Sequence, residues 1–130
     1  MVPVDVAIAL ICEGGRWLVQ CRPAGKHLAG TWEFPGGKVG EGEDPEGALL
    51  RELREELDVG VAIVEPLPVV RHDYPARRVV LHPYRCRITQ GEPRPMDGQT
   101  IRWVTPEELS TLPTPQANQP LVEALGAYGD

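Results

Sequence analysis

A cluster of glutamates on one turn of a predicted helix is the feature that most constrains this 130-residue chain. Residues 37–59 read GKVGEGEDPEGALLRELREELDV and place Glu52, Glu55 and Glu56 after a glycine-rich loop. At about 100° per residue, positions i, i+3 and i+4 fall on one helix face, so the three carboxylates converge. Converging carboxylates repel unless a cation lies among them, and the helix macrodipole disfavours each one near the C-terminus by roughly 0.3–1 kcal/mol. The pattern therefore predicts a divalent-metal site.

The opposite side of the same helix is apolar. We predict that the helix begins at Pro45, a favourable first-turn residue, and ends at about Leu57. Roughly 100° or more around from the glutamates it carries four leucines, which are Leu49, Leu50, Leu53 and Leu57. One face can therefore pack while the other binds. An arbitrary helix with the pattern E-x-x-E-E is more often a solvated surface with ion pairs, so the surrounding residues decide between the two interpretations.

Those surrounding residues resemble the box of the Nudix hydrolases, G-x5-E-x7-R-E-U-x-E-E-x-G-U, where U is bulky and apolar. Eight positions fit: Gly37, Glu43, Arg51, Glu52, Leu53, Glu55, Glu56 and Val59. One position departs, because Asp58 stands where the family has glycine. That glycine ends the helix in a left-handed conformation, which Asp also tolerates. We expect a shifted or slightly strained helix end and undisturbed metal ligands.

The resemblance implies an enzyme that hydrolyses phosphoanhydrides with Mg²⁺, Mn²⁺ being a possible substitute. It implies a metal site made by Glu52, Glu55, Glu56 and the carbonyl of Gly36. Mg²⁺ takes oxygen ligands and commonly bridges carboxylates to substrate phosphates. The remaining possibility is a degenerate Nudix fold that binds a ligand without turning it over.

The box also implies distinct roles around the metal. Glu52, Arg51 and Glu55 are the catalytic candidates, with Glu52 acting as, or next to, the general base in many family members. Glu43 is implied to pair with Arg51 and to orient the catalytic helix.

Further segments are similar to the MutT branch, the nucleoside triphosphate pyrophosphohydrolases that remove oxidised guanine nucleotides. These segments are Trp32–Lys38, Cys21–Pro23, His27 ahead of Gly30, and Pro115–Leu121. The resemblance implies that Arg22 contacts phosphate, that His27 contacts substrate, and that Phe34 forms an apolar wall for the base. It also implies that Asn118 reads the purine edge, since an amide both donates and accepts.

Each of these residues has an ordinary structural alternative. Asn118 could be a turn or cap residue before the terminal helix, Phe34 could be a core residue, and Arg22 could be only solvated. Asp97 falls where MutT has a glutamate that adds a metal or base function from a mobile loop. Asp97-Gly98 is also an ordinary turn signal, and Asp is one methylene shorter than Glu.

The leading hypothesis for function is Mg²⁺-dependent hydrolysis of a nucleoside triphosphate to a monophosphate and pyrophosphate, with oxidised dGTP (8-oxo-dGTP) as substrate and nucleotide-pool sanitation as role. A pyrimidine nucleoside triphosphate pyrophosphohydrolase is the close alternative, because related branches share the entry W-E-F-x-G-G-K. Asn118 favours a purine. A non-catalytic nucleotide-binding module is a third class, and the intact set of glutamates disfavours it.

Charge and composition exclude other classes. The net charge is −6 and there is no basic run, which disfavours a nucleic acid polymer held by phosphate contacts. Three cysteines without a C-x-x-C pair predict reduced thiols and neither a disulfide framework nor a zinc site. We see no signal peptide and no span long enough for a membrane, and we expect a cytoplasmic monomer.

The order of predicted elements favours an α/β fold. One domain over residues 1–130 is expected from the length. Strands are predicted over 4–12, 17–22, 32–34, 61–64, 69–74, 78–88 and 101–104, and further helices after Thr105 and from Leu121 to Tyr128. We expect a mixed β-sheet between helices, an α/β/α sandwich. The Nudix resemblance implies the same fold, whereas the pattern alone leaves other α/β or α+β arrangements open.

Overall fold

The computed structural model describes residues 2–25 and 29–129. Within these residues eight strands and three α-helices follow one another, with a short 3-10 helix over Gln116–Asn118. The strands are β1 (Pro3–Glu13), β2 (Arg16–Cys21), β3 (Trp32–Glu33), β4 (Gly36–Lys38), β5 (Gly60–Pro66), β6 (Val70–Tyr74), β7 (Arg77–Gln90) and β8 (Thr100–Val104). The helices are α1 (Pro45–Leu57), α2 (Pro106–Ser110) and α3 (Gln119–Tyr128).

The sheet is mixed and is built around β1. Strands β1 and β7 are parallel over nine residue pairs, from Pro3 opposite Arg78 to Ile11 opposite Cys86. All other pairings are antiparallel: β2 and β4 with β1, β3 and β8 with β2, and β5 and β6 with β7. The sheet path runs β3-β2-β1-β7-β5. The predicted mixed sheet is therefore confirmed.

The two faces of β1 pack against different helices. Alternate residues of a strand point to opposite faces. Ala7, Ala9 and Ile11 lie in one apolar cluster with the α1 residues Leu49, Leu53 and Leu57. Ile8 and Leu10 lie in a second cluster, together with Leu109 of α2 and with Leu121 and Leu125 of α3. The sheet is thus covered by α1 on one face and by α2 and α3 on the other, as expected for the α/β/α sandwich.

Helix α1 has the predicted bounds, with one correction on its apolar side. Asp44 caps its N-terminus by accepting a hydrogen bond from the Gly47 amide at 2.7 Å. Leu49, Leu53 and Leu57 are fully buried, but Leu50 is 44% exposed. The prediction that Leu50 packs with the other leucines was wrong. Leu49, Leu53 and Leu57 are four residues apart and face the sheet, whereas Leu50 is turned 100° from Leu49.

The helix ends at Leu57 without a shift. Asp58 itself adopts the left-handed conformation, with φ 57° and ψ 41°. Its amide donates to the Arg54 carbonyl at 3.1 Å, and its carboxylate pairs with Arg94. Of the two outcomes expected from the missing glycine, the shifted end is wrong, and the Asp side chain compensates for the conformation with an ion pair.

The segment 91–99 between β7 and β8 lies against the C-terminal end of α1. The Arg94 amide donates to the Leu57 carbonyl and the Met96 amide to the Glu56 carbonyl, both at 3.0 Å. The last carbonyls of a helix have no partner within it, so this segment supplies one.

Among the described residues, no helix has the length and apolar content needed to cross a membrane.

Candidate active site

Two adjacent glycines of β4 bring the backbone against the catalytic helix and the central strand. Gly36 has φ 151° and pairs with Ile8 of β1, and a Cβ atom there would lie 2.0 Å from the Ala7 carbonyl oxygen. At Gly37 a Cβ atom would lie 2.3 Å from the carboxyl carbon of Glu52. A side chain at position 36 would therefore collide with backbone, whereas a side chain at position 37 would displace the Glu52 carboxylate.

Arg51 holds three carboxylates on the outer side of α1. It donates to both oxygens of Glu43, at 2.7 and 2.8 Å, and through Nη1 to Glu52 at 3.1 Å and Glu55 at 3.2 Å. Its hydrogen bonds, together with one from the Gly40 amide, lower the pKa of Glu43 to about 2. The bidentate geometry is the strong form of an arginine–carboxylate pair. It ties the loop before α1 to the helix that carries the glutamates.

Glu56 occupies a different environment, inside the pocket. Burial, followed by the negative charge of Glu52 and then of Asp97, raises the pKa of Glu56 to about 7, against a hydrogen bond from Gln20 that lowers it. Such an accumulation of like charge favours the neutral form of one member. A cation among these carboxylates would remove the repulsion.

The pocket itself has a volume of about 490 Å³. It is lined by seven of the predicted site residues, which are Arg22, Phe34, Gly36, Glu52, Glu56, Asp97 and Asn118. Arg51, Glu43 and Glu55 are not among the lining residues, and the Glu55 side chain is 58% exposed beside Arg51. His27 lies outside the described residues. The structure thus brings together carboxylates and the predicted base-binding residues in one cavity.

Asn118 is buried at the start of α3, with 4% of its surface exposed. It occupies the position before the helix, but its side chain makes no capping hydrogen bond. The nearby Ala117 amide donates to the Tyr74 hydroxyl at 3.0 Å, which fixes the 3-10 helix against β6. Asn118 thus lines the pocket at the end of a 3-10 helix that this hydrogen bond joins to β6.

Phe34 and Arg22 line the pocket with additional partners. Phe34 is 2% exposed and belongs to the apolar cluster beneath α2 and α3, so it serves both the core and the cavity wall. Arg22 donates from Nε to Glu33 at 2.9 Å. Burial raises the pKa of Glu33, and the charge and hydrogen bond of Arg22 oppose that shift. Arg22 is consequently held in place at the pocket wall.

Sequence reasoning missed Gln20, Gln99 and Glu33. Gln20 and Gln99 are 7% and 8% exposed, and a hydrogen bond of 3.3 Å joins their amides. Gln20 lies in a strand that is otherwise apolar from Trp17 to Val19, and this polar residue at a buried position was the available signal. Nothing in the local sequence marks Gln99 as its partner.

A divalent metal ion fits the donor set of the pocket. Glu52, Glu56 and Asp97 supply carboxylate oxygens, which are the ligands that Mg²⁺ and Mn²⁺ prefer. Burial and their mutual repulsion together raise the pKa of Glu56, and a bound cation would relieve the repulsion. Within residues 2–25 and 29–129, no three His, Cys, Asp or Glu side chains are already arranged around a common ion position. The carboxylates would therefore adjust on binding.

Comparison with known proteins agrees with this architecture. The model of the NUDIX domain matches residues 6–124. The CTP pyrophosphohydrolase of Escherichia coli K12 is 36% identical over 124 residues, covering 95% of this chain and 92% of the relative. The 8-oxo-dGTP diphosphatase of the same organism is 31% identical over 126 residues, covering 96% and 98%. The crystal structure of a MutT NUDIX hydrolase from Burkholderia pseudomallei has a TM-score of 0.85 at 30% identity, covering 95% and 98%.

The chain belongs to the Nudix hydrolase family, in its MutT-like branch, and is a pyrophosphohydrolase. Nudix hydrolases generally need a divalent metal ion.

Proposed function

We propose that the protein hydrolyses nucleoside triphosphates to a nucleoside monophosphate and pyrophosphate, with Mg²⁺ as cofactor and oxidised dGTP as the preferred substrate. One observation carries the proposal: the cavity of about 490 Å³ is lined both by the carboxylates of Glu52, Glu56 and Asp97 and by Phe34 and Asn118. A nucleotide has the same two parts, an oligophosphate and an aromatic base. Cavities of this size suit small ligands of that class.

The carboxylates would hold Mg²⁺, or Mn²⁺ in its place, through Glu52, Glu55, Glu56, Asp97 and the Gly36 carbonyl. Glu55 would join the set by rotation of its exposed side chain away from Arg51. A bound divalent ion supplies neutralisation of phosphate charge and lowers the pKa of a bound water. This explains how a protein of net charge −6 can bind an anionic substrate.

The protein's own groups position the reaction. A water oxygen bonds to the β-phosphorus, and the bond from that phosphorus to the oxygen bridging the α-phosphate breaks. The monophosphate leaves with the electron pair, and the water's proton passes to a carboxylate, for which Glu52 is our candidate. Arg51 and Glu43 keep the helix in register, since they join it to the preceding loop. Arg22, at the pocket wall, would contact phosphate.

Asn118 supports a purine as the base, because its buried amide can donate to and accept from a purine edge at once. The second candidate is a pyrimidine nucleoside triphosphate. It is favoured by the 36% identity to a relative named for hydrolysis of CTP. His27 is retained as a substrate-contact candidate from the sequence alone. We further propose that residues 1–130 form one domain that acts as a cytoplasmic monomer and binds no nucleic acid polymer.

A nucleotide panel tests the proposal. Oxidised and normal purine triphosphates, pyrimidine triphosphates, sugar diphosphates and dinucleoside polyphosphates are assayed with Mg²⁺ for release of pyrophosphate or phosphate. We expect pyrophosphate from triphosphates and the highest kcat/KM for 8-oxo-dGTP. Asn118→Ala should lower the ratio of kcat/KM between 8-oxo-dGTP and dGTP. If CTP ranks first, the pyrimidine alternative replaces the purine one.

Glu52→Gln is the matching test of the carboxylate set. It keeps the size of the side chain and removes its charge, so turnover should fall by about 100-fold or more. Glu123→Gln is the control, because Glu123 lies exposed on α3 and does not line the pocket. Hydrolysis at the wild-type rate by Glu52→Gln would exclude Glu52 from catalysis.

A further inference from the structure

Gln99 is a buried side chain whose hydrogen-bonding groups are all used within the site. Its Oε1 accepts from the Asp97 amide at 2.9 Å, and its Nε2 donates to the Glu56 carbonyl at 3.0 Å and to Gln20 Oε1 at 3.3 Å. The orientation of the amide is fixed by these partners, since only oxygen can accept from an N–H and only nitrogen can donate to two oxygens. Gln99 therefore joins the segment before β8 to helix α1 and to β2.

Gln20 continues this connection to a carboxylate. Its Oε1 is occupied by Gln99, and a hydrogen bond from its side chain lowers the pKa of the Glu56 carboxyl group. The Asp97 amide, the Glu56 carbonyl and the Gln20 side chain are thus joined through one side chain, that of Gln99. Both glutamines are at least nine-tenths buried, so water competes little for their bonds.

We propose that Gln99 is a positioning residue for hydrolysis, which joins the backbone at Asp97 to the backbone at Glu56 and, together with Gln20, aligns the two segments that carry these carboxylates. The inference rests on the proposed metal-binding role of those two carboxylates. A glutamine is required there because a glutamate could donate neither to the Glu56 carbonyl nor to Gln20. It would also add a further negative charge beside Glu56 and Asp97. Residues that orient metal ligands in this way commonly affect metal affinity or activity when changed.

Gln99→Met tests the proposal, because methionine keeps the length of the side chain and removes both hydrogen-bonding groups. Thermal melting followed by circular dichroism first sets an assay temperature at which each variant is folded. We expect kcat to fall by about 10–100-fold and the Mg²⁺ concentration for half-maximal activity to rise. The KM for the nucleotide should change little, because Phe34, Asn118 and Arg22 are untouched.

Gln90→Met is the matched control. Gln90 is exposed near the same end of α1 and accepts a hydrogen bond from Arg54, but it does not line the pocket. The same chemical change there should leave kcat and the Mg²⁺ dependence at the wild-type values. A loss as large as that of Gln99→Met would show that loosening this end of the helix is enough, and would overturn the proposal.

A double-mutant cycle tests whether the two amides act as one path. Gln20→Met leaves the bonds from Gln99 to the Asp97 amide and the Glu56 carbonyl in place, so it also serves if Gln99→Met fails to fold. We expect Gln20→Met to lower kcat. The kcat of the double variant should be no lower than that of the less active single variant, because a single path can be broken only once. Wild-type kcat in both single variants, or losses that multiply in the double variant, would overturn the proposal.

Mn²⁺ binding without nucleotide separates this inference from the proposed function. The free Mn²⁺ signal in electron paramagnetic resonance gives the affinity of each variant directly, and Gln99→Met should bind about 10–100-fold more weakly than the wild type. If the wild type binds Mn²⁺ but hydrolyses no triphosphate, the proposed function fails and the affinity difference still supports Gln99. Equal affinities in an active wild type and Gln99→Met would overturn the inference alone. A wild type that binds no Mn²⁺ overturns both.

Discussion

The adjacent glycines of β4 predict opposite consequences for the same change, addition of one methyl group. In Gly37→Ala the new Cβ atom would lie 2.3 Å from the carboxyl carbon of Glu52 and 2.4 and 2.7 Å from its oxygens. That carboxylate is the far end of a flexible side chain, so it can move. Restoring ordinary contact requires a displacement of about 1 Å. The substitution therefore acts on the catalytic geometry and spares the backbone.

The magnitudes differ between function and stability. A misplacement of about 1 Å can cost roughly 100-fold in rate, so we expect Gly37→Ala to lower kcat/KM by about that factor. Rotating the Glu52 side chain away from its preferred conformation destabilises the folded state by about 0.5–1.5 kcal/mol. Alanine makes the unfolded chain less flexible than glycine does, which stabilises the protein by about 0.4–1 kcal/mol. The free energy of unfolding should therefore change by less than about 1 kcal/mol.

Gly36→Ala should do the reverse, because its Cβ atom would lie 2.0 Å from the Ala7 carbonyl oxygen at a φ of 151°. A backbone atom cannot rotate away, and both the conformation and the crowding cost about 1–3 kcal/mol each. We expect the free energy of unfolding to fall by roughly 2–6 kcal/mol. The pairing of β4 with β1 would be weakened. The main effect of Gly36→Ala should therefore be on stability, and the effect on the activity of the folded fraction should be smaller.

Urea unfolding and steady-state kinetics over a range of Mg²⁺ concentrations measure both effects. Gly126→Ala is the control, because Gly126 is exposed on α3 and nothing lies within 4 Å of an added Cβ atom. It should gain about 0.5–1 kcal/mol in stability and keep full activity. Wild-type kcat/KM and Mg²⁺ dependence in Gly37→Ala would refute the argument that Glu52 must lie against this glycine.

Three further changes can be tested in the same way. Glu55→Gln should reduce turnover by about 100-fold or more. The melting temperature should stay nearly unchanged, since the exposed ion pair of Glu55 with Arg51 contributes at most about 1 kcal/mol. An unchanged rate at saturating Mg²⁺ would show that Glu55 is not part of the site. Because the pKa of Glu56 is raised from 4.5 to about 7, the metal-free protein should lose stability as pH rises through that range. The Mg²⁺-induced rise in melting temperature should then be larger near pH 8 than near pH 5.5, and an equal rise at both would contradict the assignment. Asp58→Gly should change the free energy of unfolding by less than about 1 kcal/mol, because the loss of the pair with Arg94 offsets the easier left-handed conformation; a larger loss in urea unfolding would show that the pair matters more.

The sequence was sufficient for elements whose signals are local. Helix α1 runs from Pro45 to Leu57 as predicted, because a first-turn proline, a repeat of leucines and a left-handed residue lie within its own segment. The short strand β4 was missed, since two of its three residues are glycines and its pairing with β1 depends on residues about thirty positions earlier. The exposure of Leu50 is a different case, because the four-residue spacing of Leu49, Leu53 and Leu57 already separates it from the buried face.

The site residues also divide into those with a signal in the sequence and those that only the folded chain reveals. Glu52 and Glu56 follow from the box, and Asn118 and Phe34 from the resemblance, and all four line the pocket. The contact between Gln20 and Gln99 spans 79 residues of sequence, so only the folded chain reveals it. The contact of Glu55 with Arg51 is a local i, i+4 pair on α1, but the position of Arg51 itself depends on Glu43 in the preceding loop.

The distribution of cations and neutral amides explains how the protein can hold clustered carboxylates and still leave room for a metal. Arg51 contacts Glu52 from outside the pocket, where its guanidinium also binds Glu43. Inside the pocket, the hydrogen bond that lowers the pKa of the Glu56 carboxyl group comes from Gln20, a neutral donor. An arginine at that position would satisfy the same oxygen, but its fixed charge would occupy the place that a divalent ion needs. A neutral amide adds no positive charge at this position, so burial and the negative charges of Glu52 and Asp97 keep the pKa of Glu56 raised, although the hydrogen bond from Gln20 lowers it.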